Sequence, residues 1–540
     1  MSIENYLTII SKDFKVNSKS NKVFLSLSTG ENKAVVINYD IDDSIKLNKL
    51  IKNSLINYKK QNGKAAKWLK VDFVKDIEYI KFEKLVEELI QTRRNYVEYG
   101  FCLDKNWKLA FLPEEINANA FVRPNKTSKN LYLSEKNINN YINKYRKTKI
   151  MYRPKNYESK QVFRFFTKSH FIDLTTNEFY QLEEKGYKKG LRVTNNLSNE
   201  IEKLIDNSCT YLENQILDNG KYIYGNFPHF DKEIGFYNNL RHSSSTYALI
   251  EGLSYLNKNI KITEKPIDYL INNYMCEFEN FSHIYDDTND INEIKLGQNA
   301  AFIFAICEYL KVNPEKDEYL RAAQSVANGI LEMIDENGNT IHVINYPTLS
   351  VKERYRIIYY DGEAALALLR LYQIDNDEKW LKVVKQLFEK FISKEYWKYH
   401  DHWLGYCTNE LVLIDPQEKY YKFGIQNVSS YLQYIRNRET TFPTFLEMLM
   451  STYNLVQKAK RSGFNYLIEE YLDEDYFLET IHARANYQRT GYFYPELAMY
   501  FKNPKRILNT FFIKHHGYRV RIDDVEHYIS GFIQYQKVFK

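Results

Sequence analysis

At 540 residues the chain is too long for one compact core, and at roughly 100–200 residues per domain it should fold into two or more. Hydrophobic residues at 44% exclude a chain that stays unfolded, and the lack of any apolar run of 18 residues excludes a membrane-spanning helix. Lys and Arg number 75 against 69 Asp and Glu, a net +6 that admits an anionic ligand without calling for nucleic acid, and five scattered cysteines with no C-x-x-C pair exclude a zinc ribbon or a disulfide framework.

The first 190 residues read as mixed α and β. Val23–Leu27 and Ala34–Ile37 alternate as two strands around the turn Thr29-Gly30-Glu31-Asn32. Helical spacing follows over 44–60, then a strand over 68–74. Residues 82–92 place apolar side chains at i, i+3 and i+4, a helix. A short hairpin is expected from 101–103 and 109–112, and Pro113 with Glu114 and Glu115 marks a helix start. The Lys- and Asn-rich stretch 124–160 reads as loop and surface helix, and no catalytic constellation stands out in this half. The polar, glycine-containing stretch 186–199 is the expected linker.

Beyond it the pattern is helical and it recurs. An amphipathic helix, a loop and a helix rich in small residues return six times, as 201–217 with 243–256, 265–278 with 297–311, 317–334 with 362–373, 378–393 with 404–414, 417–436 with 444–458, and 464–481 with 524–537. The second helix of each pair mixes Ala, Gly, Ser and Thr with large apolar residues on several faces, as buried helices do. The first keeps Lys and Glu on one face, as an outer layer would. An inner ring wrapped by an outer ring closes on itself and gathers the inner helix starts at one mouth. The expected fold is therefore an α+β N-terminal domain (1–190) followed by an all-α (α/α)6 toroid (199–540).

The recurrence, with Tyr360-Asp361-Gly362-Glu363-Ala364 and Gly297-Gln298-Asn299-Ala300-Ala301 at inner helix starts, resembles the six-hairpin (α/α)6 toroid superfamily of glycosidases, polysaccharide lyases and sugar epimerases. The resemblance covers about residues 200–540 and implies a carbohydrate-active enzyme. The Cys/Cys/His zinc set of lanthionine cyclases, which use a similar toroid, has no match around Cys407.

Candidate site residues are those at the inner helix starts. Glu363 would act as a general acid with Asp361 orienting water or a hydroxyl, although both also suit helix capping. In Arg519–His527, alternation would put Arg519, Arg521 and Asp523 on one side of an extended segment, with Asp524 capping the last helix and Glu526 and His527 in its first turn. The arginines would clamp an anion, or the whole cluster would only lock the C-terminal helix. His402 is a candidate base and Trp403 a sugar platform. Arg241 and His242 would bind an acidic group, with Tyr360 lining the mouth. No ligand spacing of the H-E-x-x-H kind and no phosphate-cradling glycine loop occurs, so no metal or cofactor is expected. Aromatic residues at 16% reflect either codon bias or stacking platforms.

Together these residues predict hydrolysis of an acidic sugar or glycan by paired carboxylates, Glu363 with Asp523 or Asp524. The alternatives are a uronate lyase or C5-epimerase, in which the arginines neutralise the carboxylate, and a non-catalytic scaffold in surface-polysaccharide production whose N-terminal domain meets a protein partner. No nucleic-acid motif occurs. The opening Met1–Tyr6 lacks a basic stretch ahead of an apolar one, so a cytoplasmic location is expected.

Overall fold

The computed structural model describes the chain apart from residues 1, 2, 18, 19, 42, 93–95, 129, 147 and 149. The chain forms two compact units. The first takes Met1–Asn195, Asn226–Lys232 and Arg489–Val520, and the second takes Asn196–Gly225, Glu233–Gln488 and Arg521–Lys540. Two segments of the later sequence thus fold with the first unit, an arrangement that contiguous ranges of 1–190 and 199–540 do not contain.

The first unit is built on a seven-stranded antiparallel sheet. It comprises β1 (Lys22–Ser28), β2 (Val35–Asp40), β3 (Trp68–Lys81), β4 (Gly100–Cys102), β5 (Ala110–Phe111), β8 (Gln161–Asp173) and β9 (Glu178–Gln181), in the order β2-β1-β3-β8-β4-β5 with β9 on β8. A separate hairpin pairs β6 (Val122–Pro124) with β7 (Leu131–Leu133). On β1 and β3, Val23, Leu25, Leu27, Leu69, Val71 and Phe73 alternate onto one face, where α1 (Ile3–Asn17) and α2 (Ser44–Asn62) cover them. A second core gathers α3 (Phe82–Gln91), β4, β5, α4 (Pro113–Ala118) and α5 (Glu135–Tyr141). The intervening positions of β3 carry Lys70 and Asp72, both fully buried. They form an ion pair, and Lys70 also reaches Glu114 of α4 at 3.1 Å.

The hairpins and helices expected in this half are present. Helix α1 and strand β8 have no counterpart among the expected elements. The stretch 124–160, expected as loop and surface helix, also supplies the β6–β7 hairpin and buries Ile138, Asn139 and Tyr141 of α5. β3 runs seven residues past its expected end, because Asp76–Lys81 pair with Gln161–Phe166 of β8 across a bulge.

The second unit is helical and closed. Its inner helices are α7 (Asn239–Tyr255), α9 (Leu296–Leu310), α11 (Tyr359–Asp375), α13 (His402–Ile414), α16 (Thr444–Arg461) and the C-terminal helix (Ile522–Phe539). Each packs on the next, and the C-terminal helix packs back on α7. The ring is therefore complete. Outside it lie α6 (Leu197–Glu213), α8 (Glu264–Tyr274), α10 (Asp317–Leu331), α12 (Glu378–Ser393), α14 (Glu418–Ser429) and α18 (Glu474–Gln488), with short α15 (Leu432–Asn437) and α17 (Asn465–Tyr471) beside the last two. The division of labour follows from composition. α9 buries nearly its whole circumference, whereas α12 buries Trp380, Leu381, Val384, Leu387, Phe388 and Phe391 along one stripe and exposes Lys382 and Glu389. A five-stranded sheet (Met275–Glu277, Ser282–Asp286, Glu293–Lys295, Val343–Asn345 and Val351–Glu353), absent from the expected elements, precedes α9 and α11. No described helix is long and apolar enough to cross a membrane.

Outer helix α10 reaches this sheet through Gly329, where a Cβ would collide with the Ser282 carbonyl oxygen and the His283 ring. Replacing a helical glycine by alanine gains up to about 1 kcal/mol of helix propensity, but overpacking against fixed backbone costs about 1–3 kcal/mol. Gly329→Ala is therefore expected to lower stability by about 1–2 kcal/mol, read as a reduced urea midpoint with an unchanged slope.

Candidate active site

All six inner helices send a residue from their first two turns to one place: Arg241 from α7, Gly297 from α9, Glu363 from α11, His402 from α13, Glu447 from α16, and Asp523, Glu526 and His527 from the C-terminal helix. Local sequence sets these positions. His400 takes a left-handed conformation (φ 52°), and Asp401 then caps α13 by accepting from the Trp403 N–H at 2.9 Å, which makes His402 the first helical residue. Gly297 is required on α9 because any side chain there would strike the Glu363 carboxylate and the Tyr360 ring.

His527 is the centre of the polar cluster. Its Nδ1 donates to Glu447 Oε2 at 2.9 Å and stands 3.8 Å from Glu526 Oε1. Glu447 also accepts from the Tyr406 hydroxyl at 3.2 Å. The His402 ring lies edge-to-face on His527 with centroids 5.3 Å apart, packs against Trp403 at 4.6 Å, and keeps a buried Nε2 with no hydrogen-bond partner among the described residues. Trp403 in turn stacks on Phe304 at 5.1 Å. Across the cluster, Asp523 Oδ2 accepts from Arg241 Nη1 and, at 2.7 Å, from Arg521 Nη2, which also reaches Asp524 at 3.1 Å.

Burial and neighbouring charge drive these groups to opposite protonation states. Burial raises the Glu363 carboxyl well above the ordinary range, and the nearby Asp401 and Glu526 push it further. Asp401 is raised by burial too. Burial lifts Glu526 to about 7, with His527 pulling the other way. His402 is driven well below the usual imidazole range by burial and by His527. For His527 burial opposes the charge, but Glu526 and Glu447 outweigh it and bring the ring to about 10. The cluster thus holds a neutral imidazole beside an imidazolium, with the Glu363 carboxyl drawn toward its protonated form.

Of the residues singled out in the sequence, Glu363, His402, Trp403, Arg241, Arg521, Asp523, Asp524, Glu526, His527 and Tyr360 come to this end of the ring. Three do not. Asp361 turns to Thr340 and to His342 Nε2 at 3.2 Å, while His342 Nδ1 accepts from the Arg356 and Ile357 N–H groups; the carboxylate is tied into the wall. His242 is fully buried, its Nε2 on the Pro266 carbonyl at 2.8 Å and its Nδ1 on the Tyr237 hydroxyl at 2.7 Å, and burial holds it neutral at about 4. Arg519 belongs to the other unit, where its backbone pairs with Ile513. The extended alternation expected through Asp523 ends because the helix already starts at Ile522, so Asp524 lies in the first turn and does not cap it. Glu447 was missed in the sequence. Its signal was an acid near the start of an inner helix in an apolar run (Phe445-Leu446-Glu447-Met448-Leu449), as at Glu363 and Glu526.

His402, Glu447 and His527 present one ligand atom each within 4.8 Å of one another, a spacing open to a metal ion. The direct His527–Glu447 hydrogen bond already accounts for two of the three.

No family model matches the chain, and no curated protein matches it. Among solved structures it is similar to a cellobiose 2-epimerase from Bacillus thermoamylovorans B4167 (13% identity, TM-score 0.48) and to a D-mannose isomerase (10%, 0.48), each over 64% of this chain and the whole of theirs. It is also similar to the GH76 alpha-mannanase BT2949 of Bacteroides thetaiotaomicron (11%, TM-score 0.44), over 63% of this chain and 96% of that one. Likeness at this level leaves the chemistry to be read from the side chains of this chain.

Glu447→Gln removes one of the two carboxylates that charge His527. The His527 imidazole is expected to titrate at least one unit lower in this variant, followed by NMR of the ring protons. A raised folded-state pKa stabilises below the unfolded value of about 6.5 and is lost as pH rises toward 10. The stability lost between those limits is therefore expected to be smaller in the variant.

Proposed function

We propose that the second unit is a carbohydrate-active enzyme that works by proton transfer at an open-chain sugar, as an epimerase or isomerase. The observation that carries this reading is the side-by-side placement of a neutral His402, whose Nε2 has no partner among the described residues, and a cationic His527. His402 takes the proton from a carbon next to the carbonyl, while His527 donates to the carbonyl oxygen as the enediol forms. Delivering a proton to the opposite face of the same carbon inverts it, and delivering it to the neighbouring carbon moves the carbonyl. Glu447 is a positioning residue that keeps His527 charged and oriented. Trp403, expected as a sugar platform, is buried between Phe304 and His402, and the aromatic ring beside a carboxyl group able to bond hydroxyls is Tyr360, next to Glu363.

The expectation of an acidic sugar needs a cation turned to the substrate. Arg241 and Arg521 are both engaged by Asp523, which favours a neutral sugar. The same pairing takes Asp523 and Asp524 away from the role of hydrolytic base. Hydrolysis stands as a second reading on one observation, the Glu363 carboxyl kept protonated by burial beside Asp401, as a general acid must be.

Incubating the protein with a panel of mono- and disaccharides in D2O separates the readings. Proton transfer gives an isomer carrying one carbon-bound deuterium, whereas hydrolysis adds water and leaves carbon-bound hydrogens untouched. His402→Gln and His527→Gln are each expected to reduce turnover by about 10²–10⁴-fold with the ring still folded by circular dichroism. Full activity in both variants overturns the proton-transfer reading, and no turnover of any sugar favours the scaffold.

A further inference from the structure

Three inner helices bring two imidazoles and a carboxylate to one point. His402 opens α13, Glu447 lies in the first turn of α16, and His527 lies near the start of the C-terminal helix. Their ligand atoms stand within 4.8 Å of one another. A tetrahedral zinc ion, bonded at about 2.0–2.2 Å, holds its ligand atoms about 3.4 Å apart. The pair of His527 Nδ1 and Glu447 Oε2, now at 2.9 Å, needs to open by only about half an ångström. The His402 nitrogen needs to move in by no more than about 1.5 Å. Glu526 Oε1, 3.8 Å from His527 Nδ1, is in range of the fourth position. Because the ligands come from three helices, no local spacing in the sequence announces them.

The neighbours of these groups do what the outer partners of a bound metal do, which is to fix the tautomer and aim each ligand. His402 has Asp401 Oδ1 at 3.6 Å from its Nδ1, an acceptor that draws the ring N–H to that side and leaves the lone pair on Nε2. That Nε2 is buried and makes no hydrogen bond among the described residues, so it asks for a partner. The Tyr406 hydroxyl donates to Glu447 Oε1 at 3.2 Å, which turns Oε2 toward the His527 ring. An entry path exists as well. The His527 side chain is 20% exposed against 1% for Glu447, so an ion reaches the cluster past the His527 ring.

We propose that His402, Glu447 and His527 form a site for a divalent transition-metal ion of the zinc type, which blocks the ring's chemistry when bound. The ion replaces the His527–Glu447 hydrogen bond, and the Nδ1 proton leaves to solvent. Two imidazoles and one carboxylate are a zinc set, whereas magnesium and calcium take oxygen ligands. The bound ion also occupies the lone pair with which His402 takes a proton from the sugar. The blocking effect therefore rests on the proton-transfer reading, but the site itself stands on geometry alone.

The test is calorimetric titration of the chelator-treated full chain with Zn2+ and with Mg2+, and titration with Co2+ followed by visible absorption. Zn2+ is expected to bind at least a hundredfold more tightly than Mg2+, and Co2+ to show the intense visible bands of a four-coordinate site. His402→Gln is expected to weaken zinc binding at least tenfold. Tyr406→Phe, which removes only the hydroxyl that aims Glu447, should weaken it about 10–100-fold and serves if the histidine variant fails to fold. No zinc binding, equal affinity for Mg2+, or zinc affinity unchanged in either folded variant overturns the site. With a sugar that turns over, activity is expected to fall in step with zinc occupancy. Turnover retained with zinc on His402 overturns His402 as the base and leaves the metal site standing.

Discussion

The site depends on the packing of the C-terminal helix against α7, which closes the ring. Arg241 and Asp523 are 282 residues apart in sequence and meet only because the sixth inner helix returns to the first. Without that contact the helix pairs would form an open solenoid with two apolar ends, and the first-turn residues would lie along an arc instead of around one centre. Closure also explains the composition of the inner helices. They are packed on both sides by neighbours and behind by the outer layer, so small residues such as Gly297 and Gly252 are placed where backbones or side chains approach too closely for a Cβ.

Gathering Glu363, Asp401, Glu447, Glu526 and Asp523 in one buried region is costly, since carboxylates desolvated side by side repel. The structure meets that cost in two ways. Asp523 is ion-paired with two arginines, and Glu447 with His527. Burial raises Glu363 and Asp401 toward their protonated forms. The result is a set of acids and bases poised at different protonation states within a few ångströms, which is the arrangement proton-transfer chemistry uses. Asp361 and His342 show the contrasting case. They are equally buried and close, but hydrogen bonds to Thr340 and to two backbone N–H groups satisfy them, so they hold the wall together.

Much of the helical ring was legible because amphipathic periodicity is a local property. The boundaries expected for 378–393 and 404–414 fall within two residues of α12 and α13. The hairpin of β1 and β2 was legible for the same reason. Strand β8 was not, because it lies between β3 and β4 and its polar side chains Arg164, Lys168 and His170 are paired with Glu78, Glu88 and Asp13 from distant segments. Those partners hide the alternation that would have marked a strand. Of the site, Glu363, His402 and His527 were legible from their places at helix starts. Glu447 was not, since a single acid in an apolar stretch carries no meaning until its partner is known.

The sequence by itself determined the repeated helix pairs, the inner or outer character of each helix, and which helix starts carry ionisable groups. All three follow from spacing and composition within some twenty residues. Tertiary structure decided which of those groups face each other, and hence their charge. His402 and His242 are both imidazoles at inner helix starts, yet one keeps an unpartnered nitrogen beside a cationic ring and the other is closed off by a carbonyl and a tyrosine. The protonation state of a buried group depends on its desolvation and on charges from other segments, and neither quantity exists until the chain has folded.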